Sequence, residues 1–425
     1  MSAKAMNMRE KVQALQSTLS RAAKQSLDRR FGALYDKIYR EDVLWVAWRR
    51  VRANRGASGI DEQSIEHIER EIGEERFLSE LAADLRAQNY RPKAVRRCWI
   101  EKPGKAEKRP LGIPVIRDRV CQMATKLVIE PIFETNFLKC SYGFRPKRSA
   151  HMAMRAIKSA ILVKKQAVVI DADIEKFFDR VDHKILVTLI KKRISDPRVI
   201  KLIRGWLKAG IMEEGRYVEA GEIGTPQGAV ISPLLSNVYL HSFDKMWEQS
   251  GIPGTLVRYA DDLVLVLWRY GEWTQRKVEG MLSRLKLRLH PEKTRVIEAE
   301  QGFDFLGVHF RRKATREAGA RWTHFCHTWP SDRSMKRIRE RIRAITKGRT
   351  HRSLEDVIKE LNPILRGWDQ YHTRVAGAAE RRIRLNEYVR DRIRAFLRRK
   401  YTDPTRGWRK VPQDMYTRLG LYEFV

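Results

Sequence analysis

Two adjacent carboxylates, Asp261 and Asp262, lie between the apolar runs Leu256–Val257 and Leu263–Val266. Strand-forming residues on both sides of a short polar segment predict a tight β-hairpin whose turn contains the two side chains. Neighbouring like charges repel each other, so such a turn is either fully solvated or binds a cation through both carboxylates. The pair alone therefore leaves two interpretations open, an ordinary surface hairpin and a metal site.

A third carboxylate favours the metal site. The apolar strand predicted over residues 167–170 runs directly into Asp171 and Asp173. Carboxylates at the ends of separate strands suit two-metal phosphoryl transfer, in which two Mg²⁺ ions about 3.5–4 Å apart stabilise the attacking and leaving oxygens. Oxygen atoms are also the ligands that Mg²⁺ prefers. We expect Asp173 and Asp261 to contact both ions and Asp262 to lie beside them, with Asp171 a weaker candidate.

Charge and composition indicate a folded protein that binds nucleic acid. The 425 residues are 43% hydrophobic, and 86 Lys and Arg outnumber 52 Asp and Glu to give a net charge of +34. A large positive charge on a folded chain favours phosphate-rich partners. No apolar run reaches the roughly 18–20 residues needed to span a bilayer, and the N-terminus resembles no signal peptide. We expect no membrane association and a location in the cytoplasm, on nucleic acid.

Cysteine and histidine spacing does not predict a metal finger. The four cysteines, Cys98, Cys121, Cys140 and Cys326, contain no Cys-x-x-Cys pair and are expected to be free, mostly buried thiols. The alternating segment from His324 to His327 is more typical of a β-strand than of a metal cluster.

Periodicity along the chain predicts an α+β protein with a helical C-terminal part. Residues 8–55 show helical spacing, the region from about 90 to 310 mixes strands and helices around an antiparallel core, and basic helices follow from about 330. Within the mixed region we predict a strand at 95–100, a hairpin turn at 103–105 and a helix that starts near Glu175. The first of the basic helices has an apolar stripe at helical spacing, formed by Met335, Ile338, Ile342 and Ile345. Residues 311–425 contain 30 Lys and Arg but only 13 Asp and Glu. This excess predicts that the C-terminal helices lie along a phosphate backbone.

Several motifs occur in the order and spacing found in reverse transcriptases, and in detail the chain resembles the bacterial group II intron type. The main ones are 172–179 (ADIEKFFD), 224–228 (GTPQG) with 232–235 (SPLL), and 259–262 (YADD). Further matches are 109–114 (RPLGIP), 118–119 (DR), 141–146 (SYGFRP), 289–294 (LHPEKT) and 305–307 (FLG). Residues 361–362 (LN), 366–368 (RGW) and Tyr371 resemble the maturase, or X, domain.

The resemblance implies a right-hand polymerase, an α+β fold with fingers and an antiparallel palm sheet followed by an all-α thumb. The expected divisions are an N-terminal helical extension with the start of the fingers at 1–90, fingers and palm at 91–310, a three-helix thumb or maturase domain at 311–402 and a short tail at 403–425. After Trp408 only this tail remains, so we expect neither an HNH endonuclease module nor an RNase H domain.

The same resemblance assigns roles to single residues. Asp173, Asp261 and Asp262 would be the catalytic carboxylates and metal ligands, joined by the backbone carbonyl of Ile174. Phe178 would be a steric gate against a ribose 2′-hydroxyl, although either Phe177 or Phe178 could instead be a core aromatic.

Other residues would bind the incoming nucleotide. Gln227 would contact its sugar and base, Lys102 and Arg109 would bind its triphosphate, and Lys293 would assist the pyrophosphate leaving group. Solvated cations remain the alternative for Lys102 and Arg109. The family usually has a proline before the lysine, where this chain has Glu101.

The implied activity is RNA-directed DNA polymerisation with two Mg²⁺ ions, for which Mn²⁺ could substitute, and deoxynucleoside triphosphates as substrates. The implied partners are a group II intron RNA or another RNA template, and a DNA primer or target. A second role as a maturase in splicing and retrohoming is expected. The alternatives are an RNA-binding splicing factor with secondary polymerase activity, and a domesticated reverse transcriptase in phage defence or DNA repair.

Overall fold

The computed structural model describes residues 3–101, 108–213, 215–219, 221–225, 228–315, 323–348, 351–401 and 413–425. The chain divides into two compact units. The first contains Met1–Ser149, Ala172–Leu265 and Glu272–Arg295, and the second contains Ala150–Asp171, Val266–Gly271 and Val296–Val425. Each unit is therefore assembled from segments that are separated in the sequence.

The described helices and strands follow the predicted mixture. The helices are α1 Ala3–Gln25, α2 Tyr35–Ile38, α3 Glu41–Ala53, α4 Ile65–His67 followed by a π-helical turn at Ile68–Ile72, α5 Glu74–Arg86, α6 Ile116–Phe133, α7 Ala150–Leu162, α8 Phe177–Arg180, α9 His183–Lys191, α10 Pro197–Leu207, α11 Ser232–Gln249, α12 Gly271–Ser283, α13 Asp332–Thr346, α14 Leu354–His372, α15 Ala379–Tyr401 and α16 Gln413–Arg418. The strands are β1 Val95–Glu101, β2 Lys108–Ile113, β3 Val168–Asp173, β4 Ile211–Glu213, β5 Arg216–Val218, β6 Gly254–Tyr259, β7 Asp262–Leu267, β8 Arg295–Glu298, β9 Phe303–Phe305, β10 Val308–Thr315 and β11 Thr323–Pro330.

A four-stranded sheet in the first unit has the order β2-β1-β4-β5. Strands β1 and β2 are antiparallel and place Ile100 opposite Arg109. This confirms the predicted strand from Val95 to Ile100, which extends one residue further to Glu101. Lys102 and the predicted hairpin turn at 103–105 lie outside the described residues.

The sheet that contains the predicted carboxylates has the order β6-β7-β3-β8. Strands β6 and β7 are neighbours joined by only Ala260 and Asp261, and a link this short requires an antiparallel hairpin. The predicted hairpin is thus confirmed. The strand before Asp173 is longer than the predicted 167–170, and the helix expected from Glu175 is the single turn α8. The left-handed backbone of Lys176, with φ 44°, delays its start.

The C-terminal helices form because their apolar residues recur at helical spacing, and the first turns of α13 and α14 are also capped. Ser331 accepts a hydrogen bond from the backbone of Ser334 before α13, and Ser353 does the same for Asp356 before α14. The predicted apolar stripe of α13 is buried in a core shared with α14, α15 and the segment 416–424, and it consists of Met335, Ile338, Ile342 and Ile345.

Cys326 lies in β11, so the segment 324–327 is the predicted strand. All four cysteines are free, and Cys121 and Cys326 are buried. None of the helices in the described part of the chain is both long enough and apolar enough to cross a membrane.

Packing in the C-terminal core should be sensitive to cavity formation. Leu361 in α14 is fully buried, whereas Ile383 in α15 is 60% exposed. We predict that Leu361→Ala lowers the free energy of unfolding by about 2–5 kcal/mol, because the truncation leaves a cavity. Ile383→Ala should change it by less than about 0.5 kcal/mol. Urea denaturation followed by circular dichroism measures both, and equal effects would contradict this core.

Candidate active site

The three predicted carboxylates come from two neighbouring strands. Asp173 is the last residue of β3, Asp261 lies in the turn after β6, and Asp262 is the first residue of β7. Burial raises the pKa of Asp261, and the nearby Asp173 carboxylate raises it further, while Arg109 and Arg258 act in the opposite direction. The structure therefore brings Asp173 and Asp261 within electrostatic range, with the exposed Asp262 next in the chain.

Asp173 is fixed in position by one contact of its backbone and one of its side chain. Its carbonyl oxygen accepts a hydrogen bond from the backbone N–H of His290 at 2.7 Å. Lys293 Nζ lies 3.3 Å from Asp173 Oδ2 and neutralises part of the local negative charge. Within the described ranges, no group of three or more His, Cys, Asp or Glu side chains is arranged to hold a metal ion. The oxygen donors and the mutual repulsion of Asp173 and Asp261 nevertheless fit a divalent cation, which would relieve that repulsion.

The turn that contains Asp261 has a strained backbone. Ala260 has φ 58°, in the left-handed region that residues other than glycine rarely adopt. Such a residue costs on the order of 1–3 kcal/mol and persists only where its surroundings determine it. The neighbouring Gly143 is one determinant, since a Cβ atom at that position would lie 2.3 Å from the backbone nitrogen of Ala260. Residue 143 must therefore be a glycine, because any side chain at this position would collide with the turn.

A buried ion pair behind the turn is a second determinant. Arg258 donates to Asp244 from Nε at 2.8 Å and from Nη2 at 2.5 Å, and both side chains are 0% exposed. Arg258 Nη1 also donates to the carbonyl oxygen of Ala260 and to Asn237 Oδ1, at 3.0 Å each. Asn237 Nδ2 in turn donates to the carbonyl of Gly143 at 2.9 Å. Burial alone would lower the pKa of Arg258, but Asp244 reverses this effect and the pKa is raised.

These supporting residues were missed by sequence reasoning. A signal was present, because Arg258 interrupts an otherwise apolar strand and Asp244 follows the apolar Phe243 within α11. An isolated charge in an apolar pattern requires a partner when it is buried. The sequence gives no indication of which carboxylate that partner is.

The two adjacent phenylalanines have different environments, which answers the question left open between them. Phe177 is 2% exposed and packs edge-on against Tyr239, so it is the core aromatic. Phe178 is partly exposed, and its carbonyl accepts a hydrogen bond from the backbone N–H of Thr225 at 2.7 Å. The loop that leads to Gln227 therefore passes next to Phe178, while Gln227 itself lies outside the described residues.

The remaining predicted positions lie in the same unit. Arg109 is exposed on β2, and its charge acts on Asp261. Ile174 is buried and forms an isolated antiparallel bridge with Leu289, which positions the backbone just beyond Asp173. Two cations predicted to bind the nucleotide are thus connected with the carboxylates, Arg109 with Asp261 and Lys293 with Asp173.

Comparison with known proteins identifies the family of this chain. Residues 100–310 match the family described as reverse transcriptase (RNA-dependent DNA polymerase), and residues 335–413 match the group II intron, maturase-specific domain. The chain belongs to the group II intron-encoded reverse transcriptases. This confirms the resemblance, the fold class and the enzyme class expected from the sequence.

The relatives of this reverse transcriptase include proteins of bacteria and of fungi. It is 32% identical over 317 residues to Protein YkfC of Escherichia coli (strain K12), covering 64% of this chain and 81% of YkfC. It is 36% identical over 234 residues to the group II intron-encoded protein LtrA of Lactococcus lactis subsp. cremoris, covering 55% of this chain and 38% of LtrA. An uncharacterized 91 kDa protein in the cob intron of Schizosaccharomyces pombe is 33% identical over 215 residues, 50% of this chain and 26% of that protein.

Variants of the buried ion pair between Arg258 and Asp244 should change stability and polymerase activity to different degrees. Asp244→Ala should lower the free energy of unfolding by about 3–5 kcal/mol, because it leaves the Arg258 charge buried without a partner. The double variant Arg258→Met with Asp244→Leu should regain most of that stability, since apolar side chains of similar size can replace a buried pair. It should still extend primers poorly, because it lacks the hydrogen bond to Ala260.

Denaturant unfolding and primer extension on the same samples measure the two effects. Full activity in the double variant would show that Arg258 does not hold the turn.

Proposed function

We propose that this reverse transcriptase adds deoxynucleotides to a DNA primer on an RNA template by two-metal phosphoryl transfer at Asp173, Asp261 and Asp262. The observation that supports it is the placement of Asp173 and Asp261 at the adjacent ends of two strands, where burial and then the charge of Asp173 raise the pKa of Asp261. The three carboxylates and the carbonyl of Ile174 would hold two Mg²⁺ ions, or Mn²⁺ in their place. When bound, the ions would activate the primer hydroxyl and stabilise the leaving oxygens.

The cations near the carboxylates would bind the substrate. Arg109, with Lys102, would bind the triphosphate of the incoming nucleotide, because a guanidinium group matches phosphate oxygens in charge and geometry. Lys293 Nζ lies 3.3 Å from the Asp173 carboxylate. It would leave this carboxylate and bind the pyrophosphate as it departs. Gln227 would contact the sugar and base, and Phe178 would exclude a ribose 2′-hydroxyl.

The RNA partner we propose is a group II intron, which the protein would assist in splicing and retrohoming as a maturase. The match of residues 335–413 to the maturase-specific domain supports this proposal, as does the relative LtrA, which is named as group II intron-encoded. The paired carboxylates favour polymerisation as a main activity over a secondary one. We place the protein on nucleic acid in the bacterial cytoplasm.

One substitution tests the metal-binding role without relying on activity. Because the folded state raises the pKa of Asp261, the ionised side chain destabilises the fold above that pKa. Without divalent metal at pH 7, Asp261→Asn should therefore raise the free energy of unfolding, and the gain should disappear below the ordinary Asp pKa of 3.8. Added Mg²⁺ should stabilise the wild type but not the variant, as thermal unfolding with and without EDTA would show.

Activity measurements complete that experiment. Asp261→Asn, and Asp261→Ala combined with Asp262→Ala, should abolish primer extension and leave RNA affinity and intron splicing nearly unchanged, because basic residues elsewhere supply the affinity. The exposed Asp36→Asn is the matched control and should extend primers normally. Full polymerase activity in the double variant would rule out the two-metal assignment.

The steric role of Phe178 has its own test. Phe178→Ala should improve the use of ribonucleotides relative to deoxynucleotides by roughly 10- to 100-fold, because removing the ring opens space for the 2′-hydroxyl. Phe325→Ala is the control, since Phe325 is 51% exposed on β11. Single-nucleotide incorporation with each triphosphate gives the ratio of kcat/KM values, and an unchanged ratio would remove Phe178 from the nucleotide site.

A further inference from the structure

A pocket of the second unit is lined by none of the carboxylates described above. It is lined by α7, β10, β11 and the loop after α14. His151, Arg155 and Lys158 follow one another on α7 at intervals of four and three residues, which places them on one helix face. Arg374 contributes a further cation from the loop after α14.

The charges around this pocket are all of one sign. No carboxylate lines it, and within the described ranges Arg155, Lys158 and Arg374 form no ion pair. Other cations of the same unit are paired, for example Arg381 with Asp332 at 2.7 Å and Arg382 with Asp369 at 2.7 Å. Three like charges around one pocket repel one another, and an anion bound among them would relieve that repulsion.

Another part of the pocket wall is apolar. Val308 and Phe310 of β10 and Val375 of the loop are all buried and line the pocket. His151 Nε2 lies 2.7 Å from the carbonyl oxygen of Tyr371, and a carbonyl only accepts, so Nε2 is the donor. In the neutral ring Nδ1 is then an acceptor, which suits a hydroxyl donor. An inorganic anion would use the cations alone, whereas a ligand with an attached sugar would contact the cations and the apolar part of the wall.

We propose that this pocket binds a phosphorylated nucleoside, with the phosphoryl group at Arg155, Lys158 and Arg374 and the sugar toward the apolar wall. A residue of an RNA strand and a free nucleotide share this chemistry. This proposal does not depend on the catalytic one. Every residue that lines the pocket belongs to the second unit, and the experiment measures binding and not polymerase activity. The site would persist in a protein without polymerase activity.

The test compares removal of pocket cations with removal of equal charge elsewhere. The pocket variants are Arg155→Ala with Lys158→Ala, and Arg374→Ala alone. The control is Lys201→Ala with Arg276→Ala, two exposed cations on α10 and α12. Fluorescence anisotropy with a single-stranded RNA oligonucleotide gives the affinity over a range of salt concentrations. Melting temperatures confirm that each full-length variant is folded.

The proposed pocket holds one phosphoryl group, so loss of that contact should lower the slope of log K against log salt by about 0.7, the contribution of one phosphate on a single strand. We expect the pocket double variant to bind RNA about 5- to 10-fold more weakly at moderate salt, and the control to change by less than about 2-fold.

A second arm identifies the source of the ligand. Adenosine monophosphate, inorganic phosphate and adenosine are titrated into the wild type and the pocket variants by calorimetry. Binding of the monophosphate that is lost in the variants, and is stronger than binding of phosphate or adenosine, would indicate a free nucleotide. An effect on RNA alone would indicate an RNA residue. Equal RNA affinities for the pocket and control variants, together with no binding of the monophosphate, would overturn the proposal.

Discussion

The ion pair between Arg258 and Asp244 is the interaction on which the geometry of the active site depends. Moving two charges into a protein interior costs several kcal/mol per ion, and the cost is offset only when every donor and acceptor has a good partner. Arg258 meets this condition by using Asp244, Asn237 and the carbonyl of Ala260 together. Because one of those partners is the backbone of the strained turn, satisfying the buried charge also fixes the position of Asp261.

The same network joins segments that are distant in the sequence. Arg258 belongs to β6, Asp244 and Asn237 to α11, and Gly143 to the loop before α7. The backbone N–H of Arg258 donates to Cys140 and its carbonyl accepts from Tyr142, so this loop lies along β6. A two-residue turn would be a poor support for metal ligands if it stood alone. Here its backbone is contacted by Gly143 and by Arg258, which accounts for how a short turn can hold a carboxylate accurately.

Local signals in the sequence predicted the elements and motifs, whereas long-range partners could not be predicted. The spacing of Met335, Ile338, Ile342 and Ile345 was sufficient to predict a buried helix face, because helix geometry alone determines which residues share a face. The pairing of Lys293 with Asp173 joins residues 120 positions apart, and no local pattern encodes it. The division into consecutive domains stays a prediction. The two compact units of the structure each combine three segments that are separated in the sequence, and such a combination depends on long-range contacts.

Pairing, more than the number of basic residues, decides which cations can bind nucleic acid. The excess of Lys and Arg over Asp and Glu in residues 311–425 predicted that the C-terminal helices lie along a phosphate backbone. In the structure, Arg382 bonds to Asp369 and Arg390 to Glu423, which ties these guanidinium groups to the fold. A cation that already has a carboxylate partner must lose that contact before it can bind phosphate, which lowers its net gain by up to about 1 kcal/mol. The cations that gain most free energy from binding phosphate are those that lie together with no carboxylate among them. Such groups need not lie where the sequence is most basic.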